Sequence, residues 1–174
     1  MDYERGPLAR QGTHDGLCGV YCLINAMRNN ERFANAGEDL LRYLLEAAYR
    51  INILIPSKIS HGYEAHEITD IFNEFARSLD IQWNARLLSS LVRDFPKLSL
   101  TVLVKRIFEE GGEIVIHTSD FDHWFLAYSF DLENKRYLVE DSDGAEEQTW
   151  IAPKRVQNVG VVLLPTESAL HSAL

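Results

Sequence analysis

A chain of 174 residues, 46% of them hydrophobic, is long enough to bury a sizeable core, so a single domain over 1–174 is expected. No apolar run is long enough to span a bilayer, and Met-Asp-Tyr-Glu-Arg is no signal-peptide start, which predicts a soluble, intracellular, cytoplasmic protein without a membrane partner. The formal net charge of -9 disfavours general nucleic-acid binding and favours a neutral or basic partner.

Residues 1–10 read as an extended lead-in. From Gln11 to Met27 a polar, glycine-bearing loop runs into a helix, because Val20, Leu23, Ile24 and Met27 line one helical face. Asp15 or Gly16 is placed to serve the free amides of its first turn, and its end is expected near Asn29-Asn30. A second helix is predicted from about Gly37 to Arg50 on the spacing of Leu40, Leu41, Leu44, Leu45 and Ala48, with Glu38 and Asp39 suiting its first turn. Pro56 stops the apolar run Ile51–Ile55, and Ser57–Gly62 reads as a loop. A third helix spans about Ala65 to Ser78 with the stripe Ile68, Ile71, Phe72, Phe75 and Leu79.

Asp80–Trp83 has the composition of a strand, and the following fifteen residues fit neither period. A fourth helix from about Leu98 to Glu110 stops at Gly111-Gly112. The pattern then changes to β-branched and aromatic runs, Glu113–His117, Trp124–Phe130, Tyr137–Glu140 and Val159–Leu164, separated by turn clusters. Helices first and strands later give an α+β class, with a helical part at about 11–110, an antiparallel sheet at about 111–165, and Glu167–Leu174 as a frayed tail.

Cys18 lies in the first turn of its helix, where unpaired amides and the macrodipole favour a thiolate. That effect is worth at most about 2 kcal/mol, so a nucleophilic thiol needs a second partner, normally an imidazolium. His123 fits, since it follows the turn-like Ser119–Asp122 and opens a strand. Antiparallel pairing brings it opposite Asp141 if the hairpin tip is centred near Leu132, and opposite Asp143 if it is centred near Glu133. Either carboxylate would hold the ring's tautomer and stabilise imidazolium. Gln11 is a candidate side-chain donor to an oxyanion, together with the backbone N–H of Cys18. Cys22, one turn deeper, reads as core; His14, His61, His66 and His117 read as surface or structural. A zinc site from Cys18, Cys22, His61 and His66 is the rival, but Cys-x-x-x-Cys within a helix is not a common structural-zinc spacing, so neither metal nor cofactor is expected.

The order of these pieces resembles the papain-like cysteine peptidases: Gln, then Cys-Gly-x-x-Cys-Leu at a helix start, a distant His beginning a strand, and an Asp at the end of the next. Gly-Leu-Cys18-Gly-Val-Tyr-Cys22-Leu-Ile-Asn25, Gly62-Tyr-Glu-Ala-His-Glu-Ile68, His123-Trp124-Phe125 and Asp141-Ser142 look most like the Josephin deubiquitinases, where Asn usually stands at the position of Asp141. The Cys-Gly-x-x-Cys-Leu piece is also similar to bacterial leader peptidases that cut after double glycine. The resemblance implies a papain-like fold with the nucleophile's helix packed on the sheet. It implies catalytic Cys18, His123, Asp141 and Gln11, and a substrate cleft bordered by Trp124 and Gly19. The expected reaction is thiol hydrolysis after Gly-Gly of ubiquitin or a ubiquitin-like protein, with a leader-type peptidase, a thiol acyltransferase and a non-catalytic binding module as alternatives.

Overall fold

The computed structural model describes residues 16–28, 33, 37–118, 123–134, 136–140, 149–151 and 160–171. Gln11, His14, Asp15, Asp141 and Asp143 lie outside them. In chain order the elements are α1 (Cys18–Met27), α2 (Gly37–Arg50), α3 (Pro56–His61), α4 (Ala65–Ser78), β1 (Trp83–Leu87), α5 (Leu88–Asp94), α6 (Leu100–Glu109), β2 (Glu113–Thr118), β3 (His123–Asp131), β4 (Arg136–Glu140), β5 (Thr149–Ile151) and β6 (Gly160–Pro165). The class is α+β, with a six-stranded sheet in the order β1-β6-β2-β3-β4-β5 whose neighbouring strands all pair antiparallel.

Strict alternation along the central strands divides the core in two. Val115, Trp124, Leu126, Val161 and Leu163 share one cluster with α1, α2 and α4, through side chains such as Leu23, Leu44, Ile68 and Phe72. Their sequence neighbours Ile114, Ile116, Phe125, Ala127, Val162 and Leu164 share the other with Leu88 and Leu91 of α5 and Leu103, Val104 and Ile107 of α6. Helices therefore cover both faces of the sheet. Each fully buried aliphatic or aromatic side chain contributes about 1.5–3 kcal/mol by leaving water. Tyr137 is buried among the second group, and burial pushes its phenol up to about 12.

Where the chain departs from its sequence pattern, local chemistry gives the reason. Residues 56–61 form a helix, not a loop: Pro56 is its first residue, where the missing N–H costs nothing, and Gly62 ends it at φ 84°. The strand near residue 80 starts only at Trp83, after Asp80 turns the chain at φ 50°. It belongs to the sheet, since Ala85 pairs with Leu163 on β6. On its free side Asn73 of α4 satisfies both backbone groups of Ala85, accepting its N–H at 2.7 Å and donating to its carbonyl at 3.1 Å. The helix expected from about Leu98 is α6, and it begins where the Ser99 hydroxyl accepts the Val102 N–H at 3.3 Å. Residues 169–171, expected to fray, make a 3-10 turn with Leu170 buried and its carbonyl accepting from Arg86 at 3.0 Å.

Candidate active site

α1 opens at Cys18, and the residue before it, Leu17, caps the helix without a side-chain hydrogen bond. A leucine side chain has no acceptor to offer the first-turn amides, the groups that favour an anion at a helix start. The N-cap position is thus Leu17, and Asp15, expected to serve these amides, lies outside the described residues. Cys18 is 7% exposed and reduced, and Cys22 is fully enclosed in the core.

The first turn of α1 rests on the start of β3. A Cβ on Gly19 would stand 2.7 Å from Ile68 Cδ1 and 3.3 Å from Trp124 Cδ1, so the absence of a side chain there leaves room for Ile68 of α4 and Trp124 of β3 beside the helix. Trp124 is held in turn: its indole N–H donates to the Tyr63 carbonyl at 3.2 Å, and its ring centroid lies 5.0 Å from that of His117, its cross-strand partner. Cys18 and His123 each immediately precede one member of the Gly19–Trp124 contact.

His123 is the first residue of β3, half-buried, and pairs with Thr118. Its ring meets the edge of Phe125 at 4.9 Å. Alternation along the strand gives it the Phe125 face, whereas Trp124 and His117 belong to the face covered by α1. A second imidazole therefore borders the α1 side of this strand end. Sequence reasoning passed over His117 as surface or structural; its signal lies in the β2–β3 register, which sets it directly across from Trp124.

The β3–β4 ladder carries an irregularity between Ala127 and Ser129. Beyond it, Leu126 faces Glu140, and Glu133 lies midway between them in sequence. This is the register the spacing argument links to Asp143; the Asp141 assignment rests on the resemblance.

A further segment joins the site. The corner between α3 and α4, Gly62-Tyr63-Glu64, passes so close to Gly16 that a Cβ on Gly16 would overlap the Gly62 amide nitrogen. Burial pushes the Tyr63 phenol up, with the Glu67 carboxylate adding to it. Glu67 braces the corner by accepting from Lys58 Nζ at 2.7 Å and from the Glu64 N–H at 2.8 Å. Its own burial favours the neutral acid, but these donors outweigh that and hold the carboxyl below its usual range.

Among the described residues no group of three histidine, cysteine or acidic side chains lies together as a metal site, and of the four residues of the zinc alternative Cys22 is in the core while His61 and His66 are exposed. Nor is any helix among them long and apolar enough to cross a membrane. Two concavities, of about 460 Å³ beside Leu41, Leu45 and Tyr49 and about 330 Å³ beside Phe33, Asp80 and Trp83, are not lined by Cys18 or His123.

No protein-family model, curated protein or solved structure matches this chain. The residues and their geometry therefore carry the functional reading.

Proposed function

We propose that the chain is a cysteine peptidase or isopeptidase that transfers an acyl group from a peptide or isopeptide bond after Gly-Gly to Cys18 and then to water. The observation that carries this reading is the seating of the helix start at Cys18 against the opening of β3, through Gly19 and Trp124, one residue from His123.

In this reading the thiolate attacks the scissile carbonyl, the Cys18 N–H and Gln11 donate to the oxyanion, and His123 protonates the leaving amine and later activates water. Asp141, or in its place Asp143, orients the imidazole. His123 shares its face with Phe125 and not with α1, so this reading requires its ring to approach the thiol around the end of β3, not across the sheet. Catalytic hydrogen bonds of this kind often tighten only when substrate is present. The resemblance puts Trp124 and Gly19 at the border of a cleft that takes glycine, and the likeness to Josephin domains points to ubiquitin or a ubiquitin-like protein. The acidic balance of the chain suits a basic tail ahead of the diglycine.

The test is cleavage of ubiquitin carrying a C-terminal amide-linked reporter by wild type and Cys18→Ala, with the product analysed with and without an added amine. Release of free acid by wild type alone supports hydrolysis. Capture of the acyl group by the amine in preference to water would make the protein a transferase, and equal inertness of both proteins would leave a binding module.

A further inference from the structure

We propose that the Gly62-Tyr63 corner between α3 and α4 is a specificity-determining element of the cleft, holding it to a width that admits glycine and rejects larger residues before the scissile bond; this rests on the acyl-transfer reading above. The corner touches both sides of the site. On the thiol side, the chain leading to Cys18 crosses it backbone against backbone: a Cβ on Gly16 would stand 3.0 Å from the His61 nitrogen, and one on Gly62 would stand 3.3 Å from the Gly16 carbonyl oxygen. Gly62 has φ 84° and ψ -178°, a combination essentially restricted to glycine. On the imidazole side, the Tyr63 carbonyl holds the indole of Trp124 through its N–H.

One short segment thus sets the spacing between the loop before the nucleophile and the aromatic wall beside the base. It has little freedom to recede. The Gly62 N–H donates to the Lys58 carbonyl at 2.9 Å, the Glu64 N–H and Lys58 ammonium share one oxygen of Glu67, and Tyr63 is 5% exposed within the core. A substrate side chain next to the scissile bond would have to displace this braced backbone or the indole bonded to it, whereas glycine displaces neither.

The experiment compares kcat/KM for two reporter-amide peptides, ending in Gly-Gly and Gly-Ala, on wild type, Gly62→Ala and Trp124→Phe. Alkylation of the thiol by iodoacetamide reports the nucleophile separately. Gly62→Ala adds a methyl at a strained backbone position facing Gly16, and Trp124→Phe keeps an aromatic ring but deletes the donor to Tyr63. Wild type is expected to prefer Gly-Gly by about a hundredfold, within the span that one methylene commands in a tight site. In both variants that preference is expected to fall by about tenfold or more, with alkylation of Gly62→Ala within about twofold of wild type. Preference unchanged while both rates fall together would overturn the inference and leave the corner merely structural; if Gly62→Ala does not fold, Trp124→Phe decides alone. A wild type that cuts both peptides equally would overturn the inference but leave acyl transfer standing. A wild type that cuts neither, and forms no adduct with a diglycine electrophile, would overturn both.

Discussion

Gly19 meets Trp124 at the point where α1 reaches β3, a Cβ on the glycine lying 3.3 Å from Trp124 Cδ1 and nearer still, 2.7 Å, to Ile68 Cδ1. A methyl there fits only if the Ile68 side chain, Trp124 or the helix that begins at Cys18 gives way. Gly19→Ala is therefore expected to destabilise the fold by about 1–3 kcal/mol, the usual cost of overpacking, and to lower activity more than that loss of stability explains. Ile68→Val deletes the Cδ1 atom in the way. The double variant should recover most of both losses, and a double-mutant cycle on unfolding free energy and kcat/KM measures the coupling. Simple additivity would show that the contact does not set the position of α1.

Two imidazoles flank this junction, and their roles are separable. His123→Ala is expected to lower kcat/KM by about a hundredfold to ten-thousandfold, the range for removing a general acid–base group, while His117→Ala, which removes a ring tilted against Trp124, should cost less than about tenfold. The reverse order would make His117 the base and place proton transfer on the α1 face of the sheet. In the same assay Asp141→Ala and Asp143→Ala decide between the two carboxylates that the hairpin spacing leaves open.

The brace under the α3–α4 corner gives a pH-dependent prediction. The Glu67 carboxyl lies below its ordinary value of 4.5 in the folded chain, because Lys58 and the Glu64 N–H together outweigh its burial. Its stabilising contribution is then fully present above the unfolded value and is lost as pH falls through the lower folded one. Glu67→Gln should destabilise the protein by about 1.5–3 kcal/mol near neutral pH, typical of a hydrogen bond to a charged group, and the difference from wild type should shrink in acid. Urea unfolding between pH 3 and pH 7 measures this; a difference independent of pH would exclude the ion pair as its source.

The C-terminal turn behaves as core in spite of its polar neighbourhood. Leu170 is 1% exposed and packs with Leu88, Leu91 and Ile107 under the sheet. Leu170→Ala is expected to cost about 2–5 kcal/mol, as for other buried leucines, whereas truncation of a frayed end would cost almost nothing. Thermal unfolding separates the two.

The elements that could be read from sequence are those whose pattern and burial coincide. Leu40, Leu44, Ile68, Ile71, Phe72 and Phe75 repeat at helical spacing and are all fully buried, and α2 and α4 appear at the expected bounds. Pro56 conceals α3 because the same residue that ends one run is an excellent first residue of the next helix. β1 is concealed because its neighbour in the sheet, β6, is nearly eighty residues away, and no local period records that pairing. The place of Cys18 at a helix start was legible from glycine and apolar spacing. The facing of His117 and His123 was not, because it follows from a hairpin register and a strand irregularity that turn composition leaves open. The corner at Gly62 could have been noticed as a glycine among polar residues, but its contact with Gly16 is purely tertiary.

The most direct test of the central claim is reaction of wild type and Cys18→Ala with ubiquitin bearing a C-terminal electrophile, read by intact mass. A single adduct on wild type, mapped to Cys18 and absent from Cys18→Ala, is the expected result and establishes nucleophile and substrate class together. Labelling of wild type at another residue, or no adduct while a small thiol reagent also leaves Cys18 untouched, would contradict the assignment of this helix start as an active site.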